Sequence, residues 1–216
     1  MPTDNAAAKR GYHHGELKAA LIAATDAILR ESGIERFTLR EAARRAGVSP
    51  GAPAHHFGNA AGLLTEVAIL GYEEMARYLG PAENGEAVSV AALRALTRAY
   101  VHFALDHPGR FRLMFRKDLV NRSNARYRQV STEALRPFAL VAAQAYGSDL
   151  ETALRENRLG GVLAGWSTAH GIAHLALEDK FTPLMPEDGG PFVDGLLEDI
   201  LLAQWPDPPR AVLPGN

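Results

Sequence analysis

Residues 38–57, TLREAARRAGVSPGAPAHHF, decide how this chain is read. The spacing predicts a short helix over 38–46, a glycine turn, and a second short helix over 50–56. Thr38 and Glu41 stand three apart, as in a capping box whose two side chains each satisfy a backbone donor at the other's position. Ala42, Ala43 and Ala46 give the first helix a small apolar face. Gly47 falls where the helix must stop, because glycine accepts a left-handed cap without steric cost. Val48 plugs the turn from inside, Ser49 is a good N-cap, and Pro50 suits a first helical position. Two short helices joined by a glycine turn make a helix-turn-helix, whose second helix enters the DNA major groove. An ordinary corner between two helices of an all-helical enzyme has the same local pattern.

Outside this stretch the apolar periodicity is helical almost everywhere, and runs of β-branched residues with period two are missing. The expected class is therefore all-α, with about nine helices over 15–32, 38–46, 50–56, 60–79, 88–106, 108–116, 124–147, 149–179 and 192–205. Gly80-Pro81 through Gly85 marks one break and TPLMPEDGGP (182–191) another. The tail PDPPRAVLPGN is too rich in proline to pack, so 206–216 is expected to be disordered. These breaks predict an N-terminal domain over 11–75 and a helical bundle over 85–205.

A chain of 216 residues with 47% hydrophobic content can bury a sizeable core in one or two domains. It has no cysteine, which removes disulfides, thiolate nucleophiles and cysteine-ligated zinc, and suits a cytoplasmic protein. Its first residues lack the apolar segment of a secretory signal. Net charge is −2, yet residues 1–60 carry eight Lys or Arg against six acids, so the acidity lies in the remainder. A mildly basic head on an acidic body suits a DNA reader.

Leu159 to Leu177 is nineteen residues without a charge, long enough to span a bilayer. Its four glycines and two histidines favour a buried helix of a soluble protein instead. Leu159, Leu163, Trp166, His170, His174 and Leu177 form one bulky stripe, expected to face the domain's own core. Gly161, Gly165, Thr168, Ile172 and Ala176 form a small, flat stripe open to close approach by another helix. The last helix offers Val193, Leu196, Leu197, Ile200 and Leu201 at matching spacing.

The order GYHHGELKAALIAATDAILRESGIERFTLREAARRAGVSPGAPAHHFGNAAGLL resembles the N-terminal domain of TetR-type bacterial transcriptional regulators. Trp166, His170 and Gly171 resemble the C-terminal regulatory domain called WHG, found in one branch of that family. The resemblance implies a homodimer joined through the helices over 149–179 and 192–205, a double-stranded DNA operator, and a small-molecule effector. It implies a phosphate clamp of Thr38, Ser49 and His56, and an N-terminal arm of Lys9, Arg10, Tyr12, His13 and His14. Base contact then falls to Pro50, Gly51, Ala52 and His55, with Arg40 beside them. Three of those four recognition residues are apolar and suit thymine methyl groups. The chain departs from the family at Ala54, where Tyr is common, and at Asn59-Ala60-Ala61, where a phosphate-gripping Lys is common. Gly51 and Pro53 also look costly inside a helix, at about 1 and 3 kcal/mol relative to alanine.

An effector pocket is expected within 85–180, with the end of the fourth helix as one wall. Its lining would come from Tyr72, Met75, Tyr100, Phe103 and Phe111, and from Met114, Phe115, Trp166 and His170. Such a lining suits a hydrophobic or amphipathic molecule that releases a repressor from its operator. No cofactor or metal is expected. Two alternatives stay open: a ligand- or partner-binding dimer with a degenerate DNA-reading head, and an all-α metal enzyme using His170, His174 and Glu178.

Overall fold

The computed structural model describes residues 5–80, 90–185 and 195–207, with side chains described from Gly15 onward. Among the described residues there are ten α-helices and no strand. They are α1 (Asn5–Ser32), α2 (Leu39–Arg45), α3 (Ala52–Phe57), α4 (Ala60–Leu79), α5 (Val90–Asp106), α6 (Pro108–Met114), α7 (Ala125–Ala145), α8 (Leu150–Arg155), α9 (Gly160–Leu177) and α10 (Leu196–Gln204). The all-helical expectation holds. The break at 81–89, the expected start of the last helix at 192 and the tail from 208 lie outside the described residues.

Two boundaries differ from the sequence reading. The first helix begins at Asn5 rather than 15, so the segment read as an arm has a helical backbone. Extending an existing helix back toward Asn5 needs no new nucleus, and Ala6, Ala7, Ala8, Lys9 and Arg10 are good helix formers. The helix expected over 149–179 is two. Asp149 caps α8 by accepting from the Thr152 N–H at 2.8 Å. Asn157 then takes a left-handed conformation (φ 54°), and the Arg158 N–H returns to the Ala153 carbonyl at 2.8 Å. Asparagine is one of the few residues that adopts this conformation readily, so the helix stops there.

The chain divides into two compact units, and the division falls within α4 and α7. The first comprises residues up to Glu74 together with His107–Glu133; the second comprises Met75–Asp106 and the remainder from Ala134. Residues 107–133, which the sequence pattern places in the C-terminal bundle, thus belong with the N-terminal helices. Side chains distant in sequence explain this. Arg110 grips Asp26 through two hydrogen bonds of 2.7 and 2.6 Å, with both side chains largely buried. A Cβ on Gly109 would stand 2.8 Å from the Leu29 backbone, so only glycine lets α6 lie this close to α1. Tyr72 and Tyr127 both donate to the Met114 carbonyl, at 3.2 and 2.9 Å. Under α2 and α3, Leu21, Ile28, Ala42 and Leu63 form a buried core, with Phe37, Leu39, Val48 and Phe57 packed against it.

In the second unit α9 packs against α5 and α7, and it does so through its small face. A Cβ on Gly165 would stand 3.4 Å from Ala142 Cβ, 3.7 Å from Phe138 Cε1 and 3.8 Å from Leu93 Cδ1. Gly165, Ala169, Ile172 and Ala173 are buried, whereas Leu163 is 51% exposed and Trp166 and His174 are half-buried. This reverses the expected orientation of the two stripes. Close backbone approach wins more dispersion contact for α9 as a whole than burying its bulky side chains would. At the far end, Arg94 donates to the Trp205 carbonyl at 2.6 Å and pairs with Asp207, while Arg98 grips Glu198 with both arms of its guanidinium. Trp205 is buried, so Pro206 and Asp207 continue an anchored segment.

Candidate nucleic-acid interface

The turn between α2 and α3 follows from its residues. Thr38 is extended (φ −142°) and its hydroxyl accepts from the Glu41 N–H at 3.0 Å. The expected return bond from Glu41 is replaced by another use of that carboxylate. It accepts from Arg44 at 2.8 and 2.7 Å and from Arg45 at 2.9 Å. These guanidinium hydrogen bonds hold the Glu41 carboxyl down to about 2. Two charge-assisted partners outcompete one neutral backbone N–H. At the other end Gly47 has φ 67°, its N–H meets the Arg44 carbonyl, and the Val48 N–H reaches Ala43 at 3.0 Å. That is the double-bonded glycine stop the sequence announced.

The second helix starts later than expected. Ser49 to Ala52 forms a turn closed by the Ala52 N–H on the Ser49 carbonyl at 3.0 Å, with Pro50 at its second position. Gly51, not Ser49, is the N-cap of α3, and no side-chain hydrogen bond caps it. Pro53 therefore falls in the first turn, where its missing N–H leaves no bond unmade. The cost assigned from sequence to Gly51 and Pro53 does not arise, because neither is in the helix interior.

The structure exposes Thr38, Arg40, Ser49, Pro50, Gly51 and His55, and leaves Ala52 and His56 half-buried. Exposed Ala54 adds only a methyl to the same surface. His56 packs edge-on between the rings of His55 and Phe57, at 5.1 and 6.5 Å. The side chains of Lys9, Arg10 and Tyr12, with His13 and His14, lie outside the described ones. Arg40 makes no ion pair among the described residues, unlike Arg44 and Arg45. Asn59 is committed at its Oδ1 to the Gly62 N–H at 2.9 Å, which caps the start of α4. The sequence reading missed Lys18, whose ammonium sits 5.9 Å from the centre of the Phe57 ring beneath α3. No local spacing links residues 18 and 57; only the packing of α1 does.

The residues offered for an effector fall in both units. Tyr72, Phe111, Met114 and Phe115 lie in the first; Met75, Tyr100, Phe103, Trp166 and His170 lie in the second. Tyr72, Met75, Tyr100, Phe103, Phe111 and Met114 are fully buried core side chains. In the second unit Trp166 Nε1–H donates to Tyr100 Oη at 3.4 Å, and that hydroxyl lies 2.8 Å from His170 Nδ1. Burial, then the neighbouring His174, lowers His170 to about 4, and burial pushes the Tyr100 hydroxyl above its usual range. Trp166 also borders an apolar cavity of about 170 Å³ with Leu135, Phe138, Ala139, Val162 and Leu163. Among the described residues no three of His, Asp or Glu come together as metal ligands, so His170, His174 and Glu178 do not form such a group. Nor is any described helix long and apolar enough to cross a membrane.

Comparison with known proteins defines the class. Residues 21–67 match the bacterial regulatory proteins of the tetR family, and residues 93–200 match the tetracyclin repressor-like C-terminal domain. The chain belongs to the tetR family of DNA-binding transcriptional regulators. Among solved structures it is similar to a protein of unknown function from Rhodococcus sp. RHA1, at 30% identity and a TM-score of 0.66. That match covers 90% of this chain and 96% of the other. The fold is shared with a TetR-family regulator from Haemophilus influenzae RD, at 15% identity and TM-score 0.55, over 88% and 95% of the two chains. It is shared too with the TetR-family regulator PfmR from Thermus thermophilus, at 17% identity and TM-score 0.52, over 84% and 96%. No curated protein matches the chain.

Proposed function

We propose that this regulator is a cytoplasmic repressor that binds its operator as a homodimer and leaves it when a small hydrophobic or amphipathic effector binds. It acts by binding rather than by catalysis. The observation that carries the DNA reading is the exposed surface of Pro50, Gly51, Ala54 and His55 on a helix-turn-helix whose turn is locked by Gly47. Arg40, beside that surface, supplies a cation for the phosphates, while helix contacts to base edges set sequence. The dimer reading rests on large apolar side chains left exposed on the last two helices, where Leu163 and Leu175 of α9 and Leu202 of α10 are each 44–51% exposed. Large apolar side chains in water favour a partner surface, and in a symmetric pair each copy offers the same residues to the other. The effector reading rests on the apolar cavity at Trp166, with the Tyr100 hydroxyl hydrogen-bonded to that indole as the polar feature nearby.

Fluorescence anisotropy with the DNA upstream of the protein's own gene tests the first claim, run across a salt series with unrelated duplex as competitor. Specific binding that falls steeply with salt is expected. Equal, weak binding to both duplexes favours the degenerate-head reading, for which the Ala at 54 and at 60 are the specific observations.

A further inference from the structure

We infer that the operator half-site is read chiefly through pyrimidine 5-methyl groups in the major groove, with Gly51 as the point of closest approach and His55 as the polar reader. This rests on the helix-turn-helix being the DNA surface. Of the exposed residues on the turn and α3, Pro50, Gly51 and Ala54 carry no polar side-chain atom, and half-buried Ala52 adds another methyl. With exposed Ser49 taken by the phosphate clamp, His55 is the remaining exposed side chain among them that can hydrogen-bond a base. The major groove shows one apolar feature, the 5-methyl of thymine, and small aliphatic side chains are what match it.

Gly51 points the same way by an independent observation. Its backbone is right-handed (φ −83°, ψ −16°), a conformation open to any residue. A Cβ added there meets nothing within 4 Å. Neither strain nor packing inside the chain calls for glycine, in contrast to Gly47 with φ 67°. What the missing side chain leaves is bare backbone on the outer surface, and that serves an approach from outside. The cations of α2 fit this division. Arg44 and Arg45 are held by Glu41, so α2 does not bring a cluster of free guanidiniums to compete as base readers.

The first arm of the test changes only the DNA, so protein folding does not enter it. Duplexes are selected from a randomised library with the full chain, and the winning half-site is remade with deoxyuridine for thymidine, which removes methyls and keeps every hydrogen bond. Each contacted methyl should contribute about fourfold in affinity. His55→Ala should flatten the preference at one base pair by about tenfold and leave the others. Gly51→Val should keep the melting temperature within a few degrees and lose about tenfold or more on the selected duplex. Uridine duplexes bound within twofold of thymidine ones overturn the methyl reading while leaving the regulator intact. Failure to select any duplex overturns both.

Discussion

The two outward-opposed glycines of α9 give the sharpest test of how the C-terminal unit is built. Gly165 faces Ala142, Phe138 and Leu93 at 3.4–3.8 Å from where its Cβ would be, whereas a Cβ on Gly171 meets nothing within 4 Å. Leucine at 165 gains about 0.8 kcal/mol of helix propensity. Its outer carbons must then enter space already filled, and overpacking of this kind costs about 1–3 kcal/mol. With three walls at contact distance the upper part of that range applies, leaving a net loss of about 1–2 kcal/mol. For a chain of this size that is a fall of about 2–8 °C in melting temperature. Gly171→Leu gains the same propensity and meets no wall of its own chain, so the protomer should fold as before. If the outward face joins two copies, sedimentation velocity over a dilution series should show that variant dissociating at a concentration at least tenfold higher than wild type. Circular dichroism melts and sedimentation on both variants decide it. A harmless Gly165→Leu together with a poorly folded Gly171→Leu would refute the orientation of α9 and the dimer face drawn from it.

Other perturbations follow from single contacts. Glu41→Gln removes the charge that holds Arg44, while Arg45 keeps its ion pair with Glu31 and the backbone N–H of residue 41 stays on Thr38. Nonspecific DNA binding should tighten, and the slope of log affinity against log salt should steepen by up to about 0.9; an unchanged slope would mean that Arg44 faces away from DNA. Asn157→Ala should lower stability by about 1 kcal/mol because alanine resists φ 54°, while Asn157→Gly should be neutral or slightly stabilising. Equal effects of the two in urea melts would argue that the break between α8 and α9 does not depend on that conformation. His170 is neutral in the fold down to about 4 but ionises near its ordinary value of 6.5 when unfolded. Stability contributed there is complete above 6.5 and is lost as pH falls from 6.5 toward 4. Water still reaches half of the imidazole, so the loss is about 1–2 kcal/mol. Parallel pH-stability curves for wild type and His170→Asn would rule this out.

What the sequence determined alone was local. The helical period, the glycine stop at 47 and the order of small and polar residues over 38–57 are properties of neighbours along the chain, and they sufficed for the fold class and for the helix-turn-helix surface proposed to read DNA. Exposure of Thr38, Arg40, Ser49, Pro50, Gly51 and His55 follows from which side of two short helices is apolar. The rest depended on partners distant in sequence. Asp26 and Arg110 are 84 residues apart, and their pairing with the close seat of Gly109 on Leu29 draws α6 to the N-terminal helices. Both stripes of α9 are uncharged, so hydropathy could not say which one turns inward. The answer came from Ala142, Phe138 and Leu93, whose shape admits a glycine and excludes a tryptophan. Glu41 shows the same limit at short range, since spacing allowed it two bonding schemes and the reach of two arginines settled which one formed. Periodicity reports what a residue prefers against an average neighbour; the fold decides which neighbour it meets.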